Sequence, residues 1–272
     1  MAYSTNSYFN NAIVGQMQVG SDIDIFEISD KPKLAVGTGF TRSDGSKFRY
    51  AHAGAATNRG AIVAQDYSES SVADTDNAII APLSTYQMPD ENNGIYPGSA
   101  GSRYAILTLA SAAADQYAGG YFHITDDGGE GYTYRIRGNT ATDDPASGVI
   151  RLALYDKIQV ALTATTDCAI TGPMYANLEA AGTTTDGIAV GVACASLTAT
   201  DPYGWIQTYG PATVLCDTAG TAGKEVAVSQ NVAGAYEPAN ATGTAADAWP
   251  TIGYLITPGD TTGHGVVFLH LE

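Results

Sequence analysis

The chain has 272 residues, of which 31 are glycine and only 15% are charged, and its formal net charge is −16. This length is ample for one large or two smaller β domains with cores of their own, so the fold requires no disulfide or metal staple. Neither nucleic acid nor a membrane is an expected partner, because an acidic chain repels phosphates and no apolar run approaches the ~18 residues of a membrane span.

Residues 1–28 form a polar opening that is rich in Ser and Asn. Such a segment buries little apolar surface alone, so it is predicted to be an N-terminal arm that is either disordered or docked on a neighbour. It lacks the basic and apolar regions of a secretory signal. Residues 29–100 are predicted to form an N-terminal β region with a long loop, and residues 101–272 a C-terminal β domain.

Strand-like sequence begins near Leu34, and a hairpin is predicted over residues 39–50. Its turn is Asp44-Gly45, because both residue types tolerate the positive φ of a tight turn between alternating segments. Ser, Asp, Asn, Pro and Gly dominate residues 66–103, which is typical of a long loop or of a connection between two lobes. Residues 110–118 are compatible with a short helix, although the flanking sequence favours strands.

The second part of the chain alternates apolar and polar residues in short runs separated by turn residues. A second hairpin is predicted there, with the acidic and glycine-rich loop 126–131 at its tip. Strands are expected at residues 104–109, 119–125, 132–137, 149–155, 158–162, 188–193, 205–209, 213–215, 226–228, 252–256 and 266–271. This spacing predicts an all-β fold made of β-sandwich or β-barrel lobes.

The segment 203–212 carries the most distinctive side chains. Trp205, Thr208 and Tyr209 stand where a half-buried strand prefers bulky or β-branched residues, and Gly204 and Gly210-Pro211 are predicted to close its two ends. No nucleophile stands beside a base here, so the segment is interpreted as architecture. The residues expected to form a structural or interface site are Trp205, Tyr209, Tyr203, Arg42, Arg49 and Tyr50.

No motif in the chain supports catalysis, a cofactor or a metal. The acidic loop at residues 126–130 has no calcium-binding register, and the four histidines His52, His123, His264 and His270 have no zinc-ligand spacing. The three cysteines Cys168, Cys194 and Cys216 form no C-x-x-C motif, so they are predicted to be reduced core residues. The chain is therefore predicted not to be an enzyme.

Several short segments resemble structural proteins of tailed-bacteriophage heads, of the decoration or cement type. The segments that carry the resemblance are residues 39–56, 118–121, 129–136, 154–156, 190–193, 203–212, 233–238 and 252–254. The resemblance implies a virion protein that binds the outer surface of the capsid and cements the lattice of the major capsid protein. It also implies self-association as a homotrimer, assembly in the host cytoplasm, and no catalytic residues.

Nine of the twelve cations lie in the first 137 residues, which suggests that the N-terminal half faces an acidic protein lattice. They are Lys31, Lys33, Arg42, Lys47, Arg49, Arg59, Arg103, Arg135 and Arg137.

An alternative function is a receptor- or glycan-binding head-fibre or tail component, which would use the 17 tyrosines for stacking. A glycan hydrolase would need paired carboxylates, which no motif positions. The major shell protein itself would be expected to contain a long helix.

Overall fold

The computed structural model describes residues 23–65, 71–75, 95–109, 111–142, 148–182, 187–239 and 251–272, with backbone alone for 71–75. Across these ranges the regular secondary structure consists of strands, and no helix occurs. The all-β prediction is therefore confirmed. The strands are β1 (Gly39–Thr41), β2 (Lys47–His52), β3 (Ile62–Gln65), β4 (Ser71–Thr75), β5 (Tyr104–Thr108), β6 (Tyr121–Asp126), β7 (Thr133–Asn139), β8 (Val149–Leu154), β9 (Asp167–Thr171), β10 (Leu178–Ala180), β11 (Ala189–Ala193), β12 (Tyr203–Leu215), β13 (Glu225–Val228), β14 (Tyr236–Pro238), β15 (Thr251–Thr257) and β16 (His264–His270).

The chain divides into two compact units. Unit 1 combines Met1–Asp66 with Tyr175–Glu272, and unit 2 is the intervening Tyr67–Met174. Unit 1 is discontinuous because β3 pairs with β10 on one side and with β11 on the other, so the chain returns to the sheet in which it began. The boundary near residue 100 that the composition suggested falls inside unit 2.

The sheet of unit 1 has the strand order β10-β3-β11-β12-β16-β15-β13-β14, and the β1–β2 hairpin joins it through β2 and β12. The hairpin predicted around Asp44-Gly45 is confirmed, with Phe40 opposite Phe48 and Gly45 at a φ of 88°. Strand β12 is the centre of this sheet. It pairs with β2 along its first half and with β16 along its second half.

The prediction that Gly204 and Gly210-Pro211 close the two ends of a strand is wrong, since β12 runs through all three residues for 13 residues in all, and Gly204 is paired with Ala51 of β2. Proline normally interrupts a sheet because it lacks an N–H donor. Here the side-chain amide of Gln207 donates to the carbonyl oxygens of Tyr209 (3.1 Å) and Pro211 (2.9 Å), and Pro211 lies opposite Phe268 of β16. In the described ranges the pairing of β12 with β2 ends at Tyr209, so Pro211 is paired with β16 alone, and a strand that is unpaired on one side tolerates proline.

Unit 2 contains a six-stranded sheet with the order β4-β9-β6-β7-β8-β5. The second predicted hairpin is confirmed as β6–β7, with Tyr121 opposite Arg135. Alternate side chains of β6, β7 and β8 enter one core, which includes the fully buried Phe122, Ile136 and Leu152. The other side of these strands bears polar, charged and tyrosine side chains.

Three local predictions differ from the structure. Residues 158–162 are not a strand, because the amides of Ile158 and Leu162 donate instead to the carbonyls of Ser102 and Gly98, as a loop packed on the core. Residues 111–118 form turns rather than a helix, and Asp115 has a φ of 59°, which a right-handed helix does not allow. The strand-like sequence at Leu34 also forms bends and turns.

The predicted arm and long loop lie largely outside the described residues. Residues 1–22 are outside, but Ile25 is only 7% exposed and packs against Trp205 and its aromatic neighbours. Ile25, near the end of the predicted arm, therefore belongs to the core of unit 1. Within residues 66–103, β4 contributes to the sheet of unit 2, and residues 66–70 and 76–94 lie outside the described part.

Candidate functional site

One side of the unit 1 sheet carries a row of cationic and aromatic side chains. In β2, Lys47 and Arg49 alternate with the buried Phe48 and Tyr50. Residues that pair across antiparallel strands lie on the same side of a sheet. Pairing places Tyr209 opposite both Lys47 and His270, and Phe268 opposite Tyr254. We call this set the cationic–aromatic face, and its members are Lys47, Arg49, Tyr209, Tyr254, Phe268 and His270.

The members of this face contact one another in sequence along the sheet. The Lys47 ammonium lies 5.3 Å from the ring centre of Tyr209, within the range of a cation–π interaction. The rings of Tyr209 and Phe268 meet edge to face at 5.2 Å, and those of Tyr254 and His270 lie 6.3 Å apart. Tyr254 is 45% exposed and His270 is exposed. An exposed aromatic patch of this kind is typical of an interaction surface.

Arg49 is held in place by its neighbours. Its Nε donates to Oε1 of Glu272 (2.7 Å), its Nη1 donates to the carbonyl of Gly37 (3.1 Å), and its guanidinium lies 5.6 Å from the ring centre of Tyr175. The hydroxyl of Tyr175 donates to the same carboxylate oxygen at 2.8 Å. The side chain is therefore preorganised, which lowers the entropy that a partner must overcome on binding.

Burial and the neighbouring hydrogen bonds and charge shift the pKa of the Glu272 carboxyl in opposite directions. Burial raises the pKa of the Glu272 carboxyl, but hydrogen bonds from Arg49 and Tyr175 and the charge of Arg49 outweigh it, so that pKa lies below its ordinary value. Burial, with the nearby Glu272 carboxylate, raises the pKa of Tyr175 to about 12. At neutral pH the carboxylate and the guanidinium are both charged, and the phenol is neutral.

Replacement Glu272→Gln is expected to lower the free energy of unfolding by about 1 kcal/mol at pH 7, because this ion pair is only partly buried. A lowered native pKa stabilises the fold above the unfolded carboxyl pKa of about 4.3, and this contribution is lost as the pH falls through the native value. Urea unfolding of both proteins at pH 7 and near pH 3 measures the effect. Glu225→Gln, at an exposed position of the same unit, is the control. A difference of equal size at both pH values would contradict the ion-pair explanation.

The six residues expected from the sequence do not form one surface. Arg49 and Tyr209 lie on the cationic–aromatic face. Tyr50 and Trp205 are buried in an aromatic cluster with Phe40 and Phe48.

The other two candidates lie at the margin of that cluster. Tyr203 stacks on Tyr50 with 6.3 Å between ring centres, and the Arg42 guanidinium lies 4.8 Å from the ring centre of Phe48. Sequence reasoning missed Tyr254, Phe268 and His270. The signal for Phe268 and His270 is the period of two along β16, where they alternate with buried residues.

A cavity of about 520 Å³ lies in unit 1 where β11 and β12 separate. Arg59, Gln207, Thr213 and His264 supply its polar lining, and Cys194 is at its wall. Burial raises the pKa of the Cys194 thiol to about 12, so the thiol is protonated at neutral pH and is not an activated nucleophile. The Gln207 amide is engaged with β12 backbone carbonyls. Nothing in this lining specifies a ligand.

The described ranges show neither a cluster of metal-ligating side chains nor a membrane-spanning helix. In those ranges no three His, Cys, Asp or Glu side chains come close enough together to hold a metal ion. The same ranges contain no helix of the length and apolarity that crossing a bilayer requires. Cys168, Cys194 and Cys216 are free thiols, and the first and last of them are buried, as predicted.

No protein-family model, no curated protein and no solved structure matches the chain.

Proposed function

We propose that this chain is a non-enzymatic structural protein of a phage virion, which binds the outside of the capsid and stabilises the lattice of the major capsid protein. The observation that carries the proposal is the cationic–aromatic face. It is an open sheet surface with two ordered cations and several large rings in a chain whose net charge is −16. The resemblance of short segments to head decoration proteins supplies the kind of partner.

The composition of this face suits a protein partner. Protein interfaces are enriched in Tyr, Phe and Arg at their centres, because rigid rings bury much area at little entropic cost. Lys47 provides positive charge that complements an acidic surface, because the charge of Arg49 is balanced by Glu272, and Tyr254 and Phe268 provide the apolar area. These groups lie side by side across β2, β12, β16 and β15, so they present a broad surface rather than a cleft for a small molecule.

Self-association as a homotrimer on the virion surface, after assembly in the host cytoplasm, is part of the proposal. The two end strands of the unit 1 sheet, β10 and β14, are only three residues long. Short edge strands resist the addition of strands from other chains. Contacts between copies are therefore expected to use side-chain surfaces rather than a continuous sheet.

Co-sedimentation with purified capsid shells tests the docking surface. The double replacement of Lys47 by Glu and Tyr254 by Ala is expected to weaken shell binding by at least about tenfold, the scale of one interface hot spot. The matched control replaces Lys157 by Glu and Tyr132 by Ala in unit 2. Tyr132 is 42% exposed, nearly the same as Tyr254, and Lys157 is also exposed.

Two outcomes would overturn parts of the proposal. If the double variant sediments with shells as the wild type does, the cationic–aromatic face is not the docking surface. If the wild-type protein ignores shells and light scattering gives the mass of a monomer, the shell-binding function and the trimer both fail. A receptor- or glycan-binding virion component is then the remaining candidate, and it is favoured by a separate cavity in unit 2.

A further inference from the structure

The outward side of the unit 2 sheet concentrates positive charge. Unit 2 has five cations, Arg103, Arg135, Arg137, Arg151 and Lys157, and the first four lie on or beside this side of the sheet. The Arg135 guanidinium lies 5.2 Å from the ring centre of Tyr155, and Arg103 donates to the carbonyl of Tyr155. This grouping of Arg and Tyr contrasts with the acidic character of the whole chain.

A cavity of about 350 Å³ opens on this side and is walled by two of the arginines. Arg137 and Arg151 line it together with Tyr104, Thr140 and Asp115. Arg137 occupies a β-bulge, since the β7–β8 register shifts between Ile136 and Gly138. Bulges re-aim a side chain away from the regular alternation of a strand. The Arg137 Nη2 lies 3.4 Å from the Tyr104 hydroxyl, so the guanidinium reaches over the cavity mouth.

The carboxylate of Asp115 is built into the same cavity. Asp115 has a φ of 59°, a strained conformation for a residue other than glycine, and its amide donates to the Asn139 carbonyl at 2.8 Å. A β-carbon added to Gly138 would stand 2.5 Å from Oδ1 of Asp115, so the glycine makes room for that carboxylate.

The turn that carries Asp115 is fixed by one buried side chain. Asn139 accepts from the amide of Tyr117 at 2.9 Å and donates to the carbonyls of Ala113 (2.9 Å) and Thr140 (2.8 Å). These bonds span both sides of Asp115 and tie its turn to the end of β7. Asn139 is therefore a positioning residue for the cavity.

We propose that this cavity binds one carboxylated sugar residue of a glycan. The sugar carboxylate would accept hydrogen bonds from the guanidinium groups of Arg137 and Arg151, the arrangement that Arg forms with planar carboxylates. The sugar hydroxyls would donate to Asp115 and exchange hydrogen bonds with Thr140. The apolar side of the sugar ring would lie on Tyr104. This site goes beyond docking on a protein lattice and uses a different unit.

Three features favour this ligand over other anions. The Asp115 carboxylate in the wall accepts hydrogen bonds from hydroxyl groups, which a sugar acid has and a bare sulfate ion lacks. A nucleic-acid strand would meet a chain of charge −16 outside the arginine-rich side. The volume of about 350 Å³ lies at the lower end of the range for ligand pockets and suits a single sugar ring rather than an extended polymer.

Amide chemical-shift titrations of the full chain test the proposal. The probes are sodium glucuronate and N-acetylneuraminate as carboxylated sugars, with glucose as the neutral analogue and sulfate as the bare anion. Saturable shifts around Arg137 and Arg151 are expected with at least one carboxylated sugar and not with glucose or sulfate. An oligosaccharide that contains the same acidic residue is expected to bind at the same amides, which separates a glycan unit from a free acid.

Variants separate the roles of the cavity residues. Arg137→Gln and Asp115→Asn are each expected to weaken binding at least tenfold, while Arg135→Ala, on the same side of the sheet but outside the cavity, is expected to leave it unchanged. Thermal melting of each variant establishes that it folds.

Three results would overturn the proposal of a sugar-acid site. Equal binding of sulfate or glucose, preferential binding of a short single-stranded oligonucleotide, or the absence of saturable shifts with both carboxylated sugars would each refute the proposed ligand. Shell co-sedimentation of Arg137→Gln is expected to equal that of the wild type. A failure of the sugar site is thereby distinguished from a failure of the docking proposal.

Discussion

Replacement Trp205→Ala is expected to lower the free energy of unfolding of unit 1 by about 3–5 kcal/mol, the cost of removing a large aromatic side chain from a packed core. Trp205 is 4% exposed. Its ring meets Phe40 edge to face at 4.9 Å and Tyr50 at 5.3 Å, so its removal leaves a cavity and unsupported neighbours.

Urea unfolding followed by circular dichroism measures this loss without relying on tryptophan fluorescence. Trp205→Phe, which keeps a ring in the cluster, is expected to recover more than half of the loss. Tyr254→Ala is the matched surface control and is expected to change stability by no more than about 0.5 kcal/mol, because Tyr254 is 45% exposed. A loss below about 1 kcal/mol for Trp205→Ala would mean that the cluster is not the core of this part of the sheet.

Replacement Gly120→Ala is expected to destabilise unit 2 by about 3 kcal/mol, the upper part of the range for overpacking. A β-carbon at Gly120 would stand 2.1 Å from the carbonyl oxygen of Thr171, and backbone cannot rotate out of its way as a side chain can. The clash lies beside the Tyr121–Thr171 pair of β6 and β9. Those two strands must therefore separate or shift.

Gly131→Ala is the control for this second prediction, because Gly131 has nothing within 4 Å of its added β-carbon. Its φ of 82° leaves only the strain of a left-handed conformation, about 1–2 kcal/mol. Hydrogen exchange of the β6 and β9 amides, together with thermal melting, measures both variants. Equal destabilisation by the two replacements would show that backbone conformation, and not the contact with Thr171, is the dominant cost.

Local patterns in the sequence predicted the strands well where one side of the sheet is buried. The hairpin at Asp44-Gly45 was found because its turn residues and its alternation agree. The strands β15 and β16 were found in the same way. The continuation of β12 was not predictable, because it depends on the end of the β2 pairing at Tyr209, which leaves Pro211 paired with β16 alone in the described ranges.

Features that depend on long-range pairing escaped sequence reasoning. The discontinuous unit 1 follows from pairing of β3 with β10 and β11, more than a hundred residues later, which no local pattern encodes. The bulge at Arg137 and the space that Gly138 leaves for Asp115 depend on how β7, β8 and the turn before β6 pack together, which the sequence alone does not show. Of the expected site residues, Arg49 and Tyr209 lie on the proposed docking surface, while Trp205 and Tyr50 are buried in the core. The sequence did not separate these two pairs, because the bulk of a side chain does not show which side of a strand it lies on.

The pairing of Gln65 with Leu178 has a consequence for how the protein is made. Unit 2 is one uninterrupted stretch of chain, inserted between β3 and β10 of unit 1, and these two strands pair with each other. During synthesis all of unit 2 leaves the ribosome before β10 to β16 of unit 1, so unit 2 can fold while unit 1 still lacks those strands. The sheet of unit 1 can close around β3 only after these strands have been synthesised. Unit 2 can therefore complete its fold before unit 1 does.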